Sequence, residues 1–400
     1  MFESNEARNF SKIILFSSWE MVPRMISIMM SYYSELYTFG ELKKTVPEIR
    51  YTSQKKNRYG ENRLRADGLL EYPCRTLASL FSPAIFYGEK LSSIRKIIKQ
   101  NIQEEFARNS LIRTIPQQGR NNARLVLTLM KILDGKPVEN LTGLYVPSNA
   151  LDVMTDIAIA SPAVCAYRQS GNEEDAQMVA KAVVSVFNKP ESAAVIDLMY
   201  NKKNDDNYYE SVLDYCAIGN LQAVLDEYLY MAPENKKLGQ VVTDAIIGTS
   251  NLSIDTTDSL GKEEKKQLMR CHFAIPFIDK TVTDKSVTRT TNIRKAFNSP
   301  FRPFLLSTTS IGQEGLDFHW YARKIVHWNL PSNPVDLEQR EGRINRFKCL
   351  AIRRNVVKLY ASETYHTWDE LFSMAYSNLK GMHSDIVPYW CLPVAELTEE

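Results

Sequence analysis

Two stretches near the C-terminal end carry the side chains best suited to chemistry: STTSIGQEGLDF (307–318) and NPVDLEQREGRINRFK (333–348). The second gathers three arginines and a lysine in a nearly neutral protein. Its sequence predicts a helix, with Asn333 as N-cap, Pro334 in the first turn and Asp336 complementing the helix dipole. On such a helix Gln339, Arg343 and Arg346 fall within about 60° of one another, with Leu337 and Ile344 opposite as anchors to a sheet. Gly342 would sit mid-helix at a cost of about 1 kcal/mol, which points to a close approach there. Two guanidinium forks beside an amide suit a polyphosphate, because planar forks make paired, charge-assisted bonds to its oxygens. An ordinary solvated helix face would carry the same residues.

The first stretch follows a short apolar run, and loops after strands are where α/β folds place ligands. Gly312 and Gly315 permit turns, and Thr308, Thr309 and Ser310 offer donors to phosphate oxygens. Glu314 and Asp317 can accept from ribose hydroxyls or orient arginines. A glycine-containing loop after a strand is also common without any ligand.

These stretches need a sheet to hold them. Lys12 to Trp19 (KIILFSSW) reads as a buried parallel strand, followed by a helix from Met21 to about Tyr37 that tolerates Pro23 in its first turn. Strands are expected at Pro300 to Ser307, Arg323 to Pro331 and Arg354 to Ser362, and a last helix near Trp368 to Leu379. Between the first strand and the rest, the periodicity is helical: roughly 89–108, 122–134, 150–160, 172–187, 191–200, 208–218, and a helix capped by Asn220. One strand cannot make a sheet alone, so the expected fold is an α/β lobe with a parallel sheet, interrupted by a mainly α-helical inserted domain. The expected divisions are 1–39, 40–266, 267–365 and 366–400.

The composition, 44% hydrophobic and 24% charged, is that of a folded globular protein. Net charge is only +2, yet residues 41–120 carry sixteen Lys/Arg against eight Asp/Glu, and residues 121–260 ten against nineteen. Such blocks suggest two differently used surfaces, or chance variation among solvated charges. The six cysteines are far apart with no metal-like spacing, which leads us to expect no metal site and a reduced, cytoplasmic setting. No signal peptide and no run of 18 apolar residues is present, so no membrane partner is expected.

S-T-T-S-I-G-Q-E-G-L-D-F, then H-W-N-L-P-S-N-P and Q-R-E-G-R-I-N-R, together resemble motifs V and VI of superfamily 2 helicases, with the flavour of Swi/Snf- and RapA-like translocases. KIILFSSW is similar to their motif IV, the first strand of the second RecA-like lobe. The resemblance covers residues 12–38 and roughly 268–365. It implies that Arg343 and Arg346 are arginine fingers and that Gln339 assists at the nucleotide or couples two lobes. Gly315 and Asp317 would lie near the ribose and the fingers, with Glu314 and Gly342 beside them. Ser17, Ser18, Thr308, Thr309 and Ser310 would face a nucleic-acid backbone, duplex DNA by analogy. The cofactor implied is ATP with Mg2+, but no G-x-x-x-x-G-K-[ST] occurs. A nucleotide-binding lobe is therefore expected from a parent polypeptide or another subunit, and the chain by itself is expected to be inactive as an ATPase. The tempting Asp226-Glu227 pair sits on the helix that Asn220 starts, not after a strand. A non-catalytic nucleic-acid-binding or protein-interaction scaffold built on the same lobe is the alternative.

Overall fold

A computed structural model describes residues 10–45, 68–115, 123–138, 144–200, 208–232, 237–246, 250–254, 267–278, 284–309, 317–361 and 364–378. The chain divides into two compact units: one of residues 3–37, 244–362 and 366–400, the other mainly residues 38–243.

The first unit is built on strand β1 (Lys12–Phe16) and helix α1 (Met21–Thr45), whose last turns belong to the second unit. After the excursion come β2 (Ala274–Phe277), α2 (Asp284–Phe297), β3 (Leu305–Thr308) and β4 (Ala322–His327). Then follow α3 (Pro334–Glu341), α4 (Leu350–Tyr360) and α5 (Trp368–Asn378). The four strands form one parallel sheet in the order β2-β3-β1-β4. β1 is central: Ile13 pairs with Leu305 on one side and Lys324 on the other. Its continuous apolar run is what a strand covered on both faces requires. Ile14, Phe16, Ile275, Phe277, Phe297, Leu306 and Phe318 form the core. An antiparallel pair, Ser250–Ile254 with Gln267–Cys271, lies in the same unit.

α1 meets the sheet through small residues. Pro23, Ser27 and Ser31 are buried. The Ser27 hydroxyl lies 2.6 Å from that of Ser307, which donates to the Pro23 carbonyl (2.8 Å), and Ser31 donates to the Ala274 carbonyl (3.2 Å). Lys12, also buried, donates from Nζ to the carbonyls of Ala296 and Phe301 and lies over the rings of Phe297 and Phe304. Burial lowers its pKa.

Of the stretch Arg354 to Ser362, expected as a strand, residues 354–360 belong instead to helix α4, and Ser362 lies outside the described residues. Leu350, Arg353 and Val356 recur at helical spacing on its buried side, and that period outweighs the local Val-Val pair.

Among the described residues the second unit is mainly helical, with a parallel strand pair, Ile112–Ile115 and Leu144–Pro147. Its core gathers Ile98, Ile102, Leu129, Met154, Ile157 and Val212, among others. Asn220 caps helix Leu221–Met231 by accepting from the Ala223 amide (3.2 Å). Asp226 on that helix accepts from Gln222 (2.8 Å), whose carbonyl takes a bond from Arg168. This is a structural network, and burial raises the Asp226 pKa. The short helix Arg75–Leu80 has no cap of its own; Asp134 serves, accepting from the amides of Arg75 and Thr76, the Thr76 hydroxyl and the Tyr72 phenol. Ser148–Ala160 and Pro162–Ser170, a bent apolar pair, supply much of the buried core; no single helix among the described residues is long and apolar enough to cross a membrane.

Three residues of the basic block pair with acids of the acidic block, while much of the basic block lies outside the described residues. Arg75 pairs with Glu173, Arg95 with Asp156 and Asp214, and Lys99 with Asp152. These pairs lie inside one unit. The described cysteines are buried free thiols.

Because α1 is seated by serines, a bulky residue at Ser27 has no space beside Ser307. Ser27→Leu is expected to lower stability by about 1–3 kcal/mol through overpacking, read from the urea midpoint. Leu at exposed Arg24 on the same helix should change it by less than about 0.5 kcal/mol.

Candidate functional site

The C-terminal ends of β1 and β4 are joined first. Trp328 N donates to the Phe16 carbonyl (2.8 Å), Ser18 N donates to Asn329 Oδ1 (2.9 Å), and Asn329 Nδ2 donates to the Ser18 hydroxyl (2.7 Å). Ser17 N donates to the Thr308 carbonyl (3.0 Å), tying in β3. The Ser17 and Thr308 side chains are buried and their hydroxyls bond internally: Thr308 to the Phe277 carbonyl (2.8 Å), Ser17 to the main chain of Trp19. Both hydroxyls are thus engaged within the lobe, whereas the expectation has them facing a nucleic-acid backbone. A hydroxyl after a strand reads the same whether it faces out or completes the sheet end. Ser18 is exposed, Thr309 is buried, and Ser310 lies outside the described residues.

From this edge the chain enters α3. Asn333 caps it, accepting from Val335 N (3.0 Å). The helix ends at Glu341, with Gly342 as its C-cap, not in its middle. Gly342 has φ −59°, and among the described residues an added Cβ would meet the Glu338 and Gln339 carbonyls at ordinary contact distance. The expected close approach is not seen among the described residues. Beyond it the chain turns, with Arg343 N bonding to the Arg340 carbonyl and Ile344 N to that of Glu341. The single face expected for Gln339, Arg343 and Arg346 is thereby broken up.

The three arginines occupy three environments. Arg340 is 2% exposed; its guanidinium lies over the Phe16 ring (5.3 Å), donates to the Asn329 carbonyl (3.1 Å) and approaches His327 Nδ1 (3.4 Å). Burial and Arg340 together lower the His327 pKa. Arg340 pins α3 to the ends of β1 and β4, and Ile344, one of the two expected anchors, packs against the core. Arg343 is 6% exposed, and its carbonyl accepts from Phe318 N (3.1 Å). Arg346 is half exposed and its Nε lies 3.3 Å from the half-exposed Asp317. Gln339 is exposed on α3. Gly312, Glu314 and Gly315 lie outside the described residues.

The far end of the segment is fastened by residues that the sequence did not single out. Arg353 of α4, fully buried, donates to the carbonyls of Lys348 (2.7 Å) and Trp320 (2.6 Å) and lies over the Tyr321 ring. Leu350 N donates to the His319 carbonyl (3.1 Å), and Asn298 Nδ2 to that of Asp317 (2.6 Å). Lys348 adopts a left-handed conformation (φ 56°) where the chain reverses into α4. Helical spacing of Arg353 with Leu350 and Val356 was the available signal for its burial.

These contacts define an α/β lobe in which the segment after β3 and the arginine segment are bound to each other. Residues 246–348, about a quarter of the chain, match the helicase conserved C-terminal domain family. That supports a helicase-type C-terminal lobe. No curated protein and no solved structure matches the chain. β1 lies outside the matched range although it is the sheet's central strand.

His319 is 9% exposed, and burial lowers its pKa from 6.5 to about 4, with Asp317 opposing and Arg353 and Arg346 adding to the drop. The folded state keeps it neutral while the unfolded chain binds a proton below pH 6.5. Stability is therefore full above 6.5 and falls as pH drops from 6.5 toward 4. His319→Gln should flatten this dependence by about 1–3 kcal/mol between pH 7 and pH 4.5, measured by urea unfolding; an unchanged slope refutes the assignment.

Proposed function

We propose that the α/β unit is the C-terminal motor lobe of an ATP-dependent nucleic-acid helicase or translocase of the Swi/Snf- and RapA-like kind, acting on duplex DNA. The observation that carries this reading is the arginine segment itself. It is pinned at both ends by buried arginines, Arg340 and Arg353, and presents Arg346 beside Asp317 between them. A scaffold has no physical need for an arginine held at the surface on so firm a mount.

In this reading Arg346 and Arg343 stabilise the charge that develops in phosphoryl transfer to water. Positioned guanidinium groups do this without covalent chemistry. Asp317 orients Arg346 until a phosphate competes for it, and exposed Gln339 contributes at the nucleotide or between lobes. ATP with its Mg2+ is held mainly by a Walker-bearing lobe, from a parent polypeptide or another subunit, and the chain without it does not hydrolyse ATP. Among the described residues, no three His, Cys, Asp or Glu side chains cluster to hold a metal. Ser18, at the exposed end of β1, belongs to the nucleic-acid track, where sequence-independent movement calls for phosphate contacts.

The test is reconstitution. Supplying a Walker-bearing lobe should create nucleic-acid-stimulated ATP hydrolysis. Arg346→Ala should reduce turnover on the order of 10³-fold or more while leaving thermal stability unchanged, because its ion pair is solvent-exposed. Arg343→Lys, which keeps the charge at the buried position, should lose turnover comparably. Undiminished turnover in both variants would refute the finger assignment.

A further inference from the structure

α1 is inside out for a helix lying on a sheet. An amphipathic helix buries its large apolar stripe and exposes its polar face. Here the face on the sheet is Pro23, Ser27 and Ser31. Met21, Met25, Met29, Tyr33, Leu36 and Tyr37 are 48% to 69% exposed. At 100° per residue their arc centres on Met29, about 160° from the centre of the serine face. Together they present on the order of 800 Å2, more than the largest apolar patch of most monomers and equal to one side of a standard specific interface.

We propose that this stripe is a self-association surface, on which two copies of the chain pair antiparallel through α1 about a two-fold axis at Met29. The order of residues along the helix favours a second copy over an unrelated partner. Met21, Met25, Met29, Tyr33 and Tyr37 recur every four residues, methionines in one half and tyrosines in the other. Reversing one copy about Met29 sets Met25 against Tyr33 of the second copy and Met21 against Tyr37 of the second copy. Thioether sulfur against an aromatic ring is a favourable contact. A parallel arrangement would set methionine on methionine and tyrosine on tyrosine. Rows spaced by four residues also interlock when two helices cross at about −50°. The stripe need not serve the motor reaction: α1 packs over β3 and β2, through Ser307 and Ala274, whereas the arginine segment attaches at β4, the opposite edge. The proposal therefore stands independently of the functional reading.

Only Met29 meets its own copy in this register. In a Cys391→Ser background, Met29→Cys should form a disulfide-linked dimer under mild oxidation, and Met21→Cys should not. Met29→Glu and Tyr33→Glu should each raise the dimer dissociation constant at least about 100-fold by sedimentation equilibrium, because a charge would be buried unpaired. Circular dichroism should stay that of the wild type, and so should the melting temperature at dilutions where both are monomeric, since both sites are exposed in the monomer. A wild-type chain that is monomeric at 50 micromolar (roughly where a weak specific dimer already forms) would overturn the proposal. So would a dimer unaffected by both glutamates, or cross-linking through Met21→Cys instead of Met29→Cys.

Discussion

The structure of the α/β unit depends on one pairing of distant segments. β1, at residues 12–16, is the central strand, and its neighbours on both sides lie some three hundred residues later in the chain: Ile13 against Leu305 and Ile14 against Ile325. None of the core around Phe16, Phe277 and Phe318 can close until that pairing is made. Loop-closure entropy grows only slowly with length, so distance itself is no bar. A folded helical unit with its own core also replaces what would otherwise be a long unstructured excursion. The family match begins at residue 246 and does not include this strand.

With β1 in place, the rest follows through short contacts at its two ends. Phe16 is the pivot at the C-terminal end: its carbonyl takes Trp328 N, and its ring carries the Arg340 guanidinium. At the other end Lys12 N bonds to the Tyr321 carbonyl, and Arg353 lies over the Tyr321 ring. A buried guanidinium is costly unless other groups replace its water, and carbonyl oxygens and an aromatic face do so here. Arg340 meets the Asn329 carbonyl and the Phe16 ring, and Arg353 the Lys348 and Trp320 carbonyls and the Tyr321 ring. Both guanidinium groups hold the segment in place.

How much of this the sequence disclosed depended on the kind of signal. The apolar run at Lys12–Phe16 and the helical periods of residues 91–231 were legible because both report burial directly. Termination was not: Arg340, Arg343 and Arg346 continue a helical spacing, and only the chain turning at Gly342 ends the helix. The Arg354–Ser362 stretch failed for a related reason, since two adjacent valines outweighed a buried arginine that a local reading places in solvent. The internal bonds of Ser17 and Thr308 were not legible, because a hydroxyl that completes a sheet end and one that faces a ligand are the same residue.

What separates Arg346 from the other arginines is how little holds it. Its partner Asp317 is as exposed as it is, and an exposed ion pair at such separation contributes about 0–1 kcal/mol to stability. A phosphate carries more charge than one carboxylate and accepts both arms of the guanidinium fork, so exchanging Asp317 for phosphate costs the fold almost nothing. The main chain carrying Arg346 does not share that freedom. Arg343's carbonyl is tied to Phe318, and Lys348's to Arg353. A cation loosely held by its side chain and firmly held by its backbone can change partners without moving its mount, which is the property that charge stabilisation in a transient state requires.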